Sequence, residues 1–106
     1  MYYRMTRLHF AEDRFEDLLD WAKTVKERVL AIDGLLFADL VKTGAGEGMV
    51  LAAYESEAAF QKASGTVSGM IEEMSSYLTD TPHGHAGKVA LSFKTPFDTS
   101  SLVAGE

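Results

Sequence analysis

The run LLFADLVKTGAGEGMVLAAY, residues 35–54, is apolar at odd and even positions alike and is interrupted by a glycine-rich tetrapeptide. Successive side chains of a strand point to opposite faces. A strand with Leu35, Phe37 and Val41 on one side and Leu36, Ala38 and Leu40 on the other therefore needs apolar cover on both. The GAGE break predicts a hairpin of two strands, 35–43 and 48–54, joined by a glycine-rich turn. Such a hairpin commits the chain to a layered fold, and the rest of the sequence must supply the layers.

Residues 2–10 mix aromatics, long side chains and charge, which suits a strand. From Glu12 the period changes: Phe15, Leu18, Leu19, Ala22, Val25, Val29 and Ile32 follow the spacing of one helix face. Glu12, Asp13, Glu16, Asp17 and Asp20 precede Lys23, Lys26 and Arg28, the order that complements a helix dipole. Asp33-Gly34 predicts the stop of this single long helix. Ser56 is the predicted N-cap of a second helix with Phe60, Ala63, Val67, Met70, Ile71, Met74 and Leu78 on one face. Gly65 and Gly69 fall on its polar side and admit a break near Gly65, with Thr66 as a new cap. KVALSF, 88–93, is the predicted fourth strand, which makes TPHGHAG, 81–87, the bend before it.

The order βαββαβ builds a four-stranded antiparallel sheet with both helices on one face, the ferredoxin-like α+β arrangement. Since the hairpin is apolar on its second face as well, the simplest cover is another copy of the sheet. The expected assembly is a homodimer joined through sheet faces. At 106 residues the expectation is one domain, 1–94, followed by a polar tail, 95–106, with a small apolar island at Leu102-Val103.

Composition closes several routes. The chain has no cysteine, which excludes disulfides, thiolate catalysis and Cys-type metal sites. Sixteen acidic residues against 10 basic ones give a net charge of -6, and no Lys/Arg cluster is present to neutralise a nucleic-acid backbone. MYYRMTRLHF carries charge where a signal peptide would be apolar, and no run approaches the roughly 20 apolar residues of a membrane span. The expectation is a cytoplasmic protein with neither nucleic acid nor membrane as partner.

The residues with chemical potential are few. His83 and His85 stand at i, i+2 and would share one side of an extended segment. Even with His9 or Asp80, nothing in the spacing demands a metal, and none is expected. His85 at the mouth of a cavity could act as a general base near neutral pH. His9 alternates onto the same strand face as Tyr3, Met5 and Arg7. If that face meets the helices, Arg7 could stabilise an oxyanion; if it meets a second copy, Arg7 and His9 are ordinary interface contacts. Trp21 flanks the first apolar stripe, and Tyr54, Met70, Met74 and Tyr77 would surround a helix–sheet cavity as readily as they would pack a core. Gly44, Gly46 and Gly48 join strand to strand, so no helix N-terminus follows to meet a phosphate.

AIDGLLFADLVKT (31–43) followed by GMVLAAYESEAAFQKA (48–63) resembles the dimeric α/β-barrel superfamily and, within it, antibiotic biosynthesis monooxygenase-like proteins. In these a long first helix ends in a Pro-Gly or Asp-Gly step, and an aromatic-ending strand precedes an EAAF-like helix start, as Tyr54 to Phe60 does here. The resemblance spans residues 2–94. It implies a cavity between helices and sheet and one of two activities: oxidation of polyketide quinols without metal or flavin, or opening of the haem ring. Active members often carry histidines in the second-helix region, in a pattern like Ala-His-x-x-x-Pro-His, and the haem-opening ones use an asparagine on the first strand. In this chain Ala63 and Ser68 stand at the histidine positions, Thr6 lies near the asparagine's place, and asparagine is absent. The resemblance thus implies a cofactor-independent monooxygenase of a small aromatic, quinol-like molecule. His85 or His9 would remove the phenolic proton, Arg7 would hold the anion, and Trp21, Tyr54, Phe60, Met70, Met74 and Tyr77 would surround the ligand. The alternatives are a non-catalytic small-ligand-binding or stress-related dimer, and an assembly module whose cavity is filled by its own side chains.

Overall fold

The computed structural model describes residues 1–94; the expected tail, with Leu102 and Val103, lies outside the described residues. The elements are β1 (Tyr2–His9), α1 (Phe15–Thr24), α2 (Lys26–Leu30), β2 (Leu35–Gly44), β3 (Glu47–Tyr54), α3 (Glu57–Met74) and β4 (His83–Lys88), with 3-10 turns at Glu12–Arg14 and Ser75–Tyr77. Every strand pairing is antiparallel and the sheet order is β2-β3-β1-β4. Each strand-helix-strand unit thus leaves a gap that a strand of the other unit fills, and the fold is the expected ferredoxin-like one.

Register decides which side chains meet the helices. Tyr2, Arg4, Thr6 and Leu8 of β1 stand opposite Tyr54, Ala52, Val50 and Gly48 of β3 and face the helix layer. Leu8 is fully buried there with Phe10, Leu18 and Met74, and a second cluster joins Ala52, Tyr54 and Ala63. Tyr3, Met5, Arg7 and His9 stand opposite Ala53, Leu51, Met49 and Glu47 on the other face, which no element among the described residues covers. Phe37 and Val41 of β2 extend this open face, each 39% exposed.

Gly34 ends the helical segment at φ 78, and a Cβ on it would lie 2.5 Å from the Ala59 Cβ. Only glycine takes that left-handed turn without a Cβ penalty and also lets α3 come so close. Ser56 caps α3 as expected, its Oγ accepting from the Ala59 N–H at 3.1 Å.

Three expectations are corrected. The first helix is two: at Val25 (φ -98, ψ 3) the chain breaks helical geometry, yet Val25 stays buried and the apolar stripe continues from α1 into α2. The second helix does not break. Gly65 and Gly69 sit where an added Cβ would meet no atom within 4 Å, on the outer side, so their missing side chains cost α3 no packing. The fourth strand is not 88–93, and TPHGHAG is not the bend before it; His83–Lys88 is the strand itself. Tyr2 pairs with Lys88 and Arg7 with His83, so β1 is used up at its N-terminal end. Beyond Lys88 one bond remains, Val89 N–H to the Met1 carbonyl at 3.0 Å, and Leu91 and Phe93 are 72% and 89% exposed.

Candidate functional site

Between the helices and the sheet lies a cavity of about 510 Å³. Its floor is low because small residues meet in one cross-strand row: Ala38 of β2 stands opposite Ala52 of β3, and Ala52 opposite Arg4 of β1. Larger side chains in that row would fill the space, as Leu8 and Phe10 do nearer the other end. Leu18, Trp21, Val25 and Val29 form the wall from α1 and α2, and Val67, Met70, Ile71 and Met74 the wall from α3. The lining is apolar apart from Arg4, Thr6, Lys23, Lys26 and Asp39.

Arg4 is the cation on the cavity floor. Its Cζ lies 4.2 Å from the Phe60 ring centroid and 5.9 Å from that of Tyr54, a cation–π arrangement. Its Nη2 donates to Ser64 Oγ at 3.3 Å, while the Ser64 hydroxyl donates to the Phe60 carbonyl at 3.0 Å. Its Nε is buried with no hydrogen-bond partner. None of the ion pairs among the described residues involves Arg4.

The two helical walls are tied together at the surface. Arg28 of α2 makes a two-pronged contact with Glu73 of α3, Nη1 to Oε1 at 3.1 Å and Nη2 to Oε2 at 2.7 Å. The hydrogen bonds from Arg28 hold the Glu73 carboxyl below the usual carboxylate range, and the same bonds raise Arg28.

The structure divides the expected site residues. Trp21, Tyr54, Met70 and Met74 line the cavity. Phe60 supports it, its ring packing on Tyr2 at 4.8 Å and on Tyr54 at 5.7 Å. Tyr77 stands 6.2 Å from Trp21 and backs it. Arg7 and His9 lie on the open face around a small hollow with Thr43, Glu47, Gly48 and Met49, and His9 Nδ1 is 3.8 Å from Asp80 Oδ2. His85 stands opposite Met5, and His83 opposite Arg7, on that same face. Arg7, His9 and His85 are therefore not among the residues lining the helix–sheet cavity: strand alternation puts the thickness of the sheet between them and it. Of the two sequence positions matched to family histidines, Ala63 is buried in the core and Ser68 is exposed. Among the described residues no group of three or more His, Asp or Glu is placed to hold a metal ion.

Arg4 and Ser64 were not anticipated from the sequence. A signal for Arg4 exists all the same. Arg4 and Arg7 are an odd number of residues apart on one strand, so alternation alone puts one arginine under the helices whichever face they cover.

A ferredoxin-like sheet with an apolar cavity under its helices defines the class: a small α+β domain built around a ligand-sized space. A sequence model of the antibiotic biosynthesis monooxygenase family matches residues 1–68, and the chain belongs to that family. No curated protein matches it. Among solved structures it is similar to the monooxygenase ActVA-Orf6 of Streptomyces coelicolor in complex with nanaomycin D, at 19% identity over 89% of this chain and 91% of that one, TM-score 0.74. It is also similar to Rv0793 from Mycobacterium tuberculosis, at 17% identity over 88% and 98% of the two chains, TM-score 0.72. A dimeric ferredoxin-like protein from an uncultured marine organism matches at 18% identity over 89% and 91%, TM-score 0.72. At these identities the likeness shows a shared fold.

Proposed function

We propose that this chain is a cofactor-independent monooxygenase that takes a small, largely apolar aromatic molecule of the quinol kind into the helix–sheet cavity, and that it works as a homodimer joined through its open sheet faces. The observation that carries the reading is the cavity itself: about 510 Å³, apolar, and walled by Trp21, Tyr54, Met70 and Met74 in a chain of this family. Flat aromatic walls and polarisable methionines suit a planar ligand. The chemistry asks little of the protein. A quinol that has lost a phenolic proton can pass one electron to dioxygen; the two radicals join at carbon as a peroxide anion, which takes a proton back from water, and the hydroperoxide then loses water to leave a carbonyl. One oxygen atom enters the product and the other leaves as water. The protein's part is to hold the ring, keep bulk water away and favour the anion.

The dimer rests on the uncovered face, where Tyr3, Met5, Phe37, Val41, Met49 and Leu51 form an apolar surface in the single chain. Arg7, His9 and His85 belong to that surface and are proposed as interface residues. The structurally similar marine protein, described as dimeric, is consistent with this assembly.

A non-catalytic binding protein is the second reading, favoured by the lack of any histidine in the cavity lining. Oxygen uptake by metal-free protein with a panel of polycyclic hydroquinones separates the two. Uptake above the protein-free rate is expected, unchanged in His9→Ala and His85→Ala and lost in Ala52→Leu, which fills the cavity floor. No uptake across the panel would leave the binding protein as the reading.

A further inference from the structure

We infer that Arg4 is an anion anchor and that the cavity selects planar aromatic molecules that bind with one negatively charged oxygen group, a phenolate or a carboxylate, against the Arg4 guanidinium. The inference rests on the ligand-cavity reading above and names the ligand class that reading leaves open. A permanently charged guanidinium at the floor of an apolar space is costly unless something compensates it. Inside the chain the compensation is incomplete. Phe60 and Tyr54 offer ring faces and Ser64 accepts one hydrogen bond, and among the described residues no carboxylate pairs with Arg4. Arg4 lines the cavity with no carboxylate beside it among the described residues, so its charge is left for a ligand to balance. An oxyanion in the cavity beside the guanidinium would neutralise that charge through a charge-assisted hydrogen bond. Thr6, two residues along β1 on the same face and 3% exposed, adds a hydroxyl to the lining next to it.

The anchor also answers a chemical difficulty. None of the histidines lines the cavity, so no imidazole is available there to take a phenolic proton. A fixed cation removes the need for one: it lowers the ionisation pH of a bound phenol, so the proton passes to water and the anion stays.

The test uses the isosteric pair 2-naphthoate and 2-naphthamide, with binding followed by quenching of Trp21, the only tryptophan in the chain and a lining residue. Wild-type protein should bind the naphthoate at least about tenfold more tightly, the factor that a little over 1 kcal/mol of charge recognition gives. Arg4→Met should abolish that preference while keeping naphthamide affinity, and Arg4→Lys should retain part of it. Bound 1-naphthol, followed by its phenolate absorbance, should ionise about one pH unit or more below the free compound in wild type and not in Arg4→Met. Equal binding of the pair by wild type, or a preference that survives Arg4→Met, overturns the anion anchor and leaves the ligand cavity standing. Binding of neither compound overturns both. If Arg4→Met does not fold, Arg4→Gln takes its place in the same comparison, which also separates Arg4 from Lys23 and Lys26 in the lining.

Discussion

Leu18 and Gly34 hold the cavity's frame in different ways. Leu18 is fully buried on α1, packed with Leu8, Phe10 and Met74, and truncation would remove transfer energy and open a void. Leu18→Ala should cost about 2–5 kcal/mol, read from the urea midpoint at unchanged slope. Gly34→Ala adds a single methyl and should still cost about 2–4 kcal/mol, because it strains a left-handed backbone and drives a carbon into Ala59. The glycine's turn role was legible in the sequence, since Asp-Gly after a helical stripe is a stop signal; its close approach to α3 was not, because that depends on a partner 25 positions away. Arg4 was hidden for a similar reason. Alternation splits the β1 side chains into two sets, but the choice of buried set is made by α1 and α3 landing on one face, which local pattern does not encode.

At the scale of elements, the caps and cross-helix ties give sharper expectations. Ser56→Ala should cost about 1 kcal/mol through loss of the hydroxyl that accepts from Ala59, with most of the helical signal of α3 retained in circular dichroism. The Arg28–Glu73 contact joins two exposed side chains, so its contribution should fall with added salt. Its pH dependence has a definite sign. Glu73 ionises more readily in the folded chain than in the unfolded one, so its stabilisation is present above the ordinary carboxylate value and fades as pH falls through the lower, folded value. Wild type should therefore exceed Glu73→Gln in urea midpoint at neutral pH, and the gap should close on acidification. A gap that widens in acid would contradict the pairing. The hairpin and α3 were readable because their apolar period, cap and turn residues agree. β4 was misplaced because KVALSF has the stronger strand composition, while the register with β1 recruits His83–Lys88 instead, and an edge strand asks less of its side chains than of its backbone.

At the scale of the whole molecule, the described residues present one covered and one uncovered sheet face. A second copy is the proposed cover, and the centre of the uncovered face is the place to disturb it. Leu51→Lys puts a charge beside Met5 on that face, and Leu51 is not among the cavity-lining residues. Sedimentation equilibrium should give twice the chain mass for wild type and a shift toward the single chain for the variant; a wild-type monomer at micromolar concentration would refute the dimer. Topology carries a further consequence in time. β1 is made before both of its sheet partners, β3 and β4, and Tyr2 meets Lys88 only when nearly all the described chain exists. The opening strand must wait on the ribosome with both hydrogen-bonding edges vacant, while the β2–β3 hairpin forms locally behind it. Of the four strands β1 is therefore the one most exposed to mispairing, and the edge contact with β4 completes the sheet last.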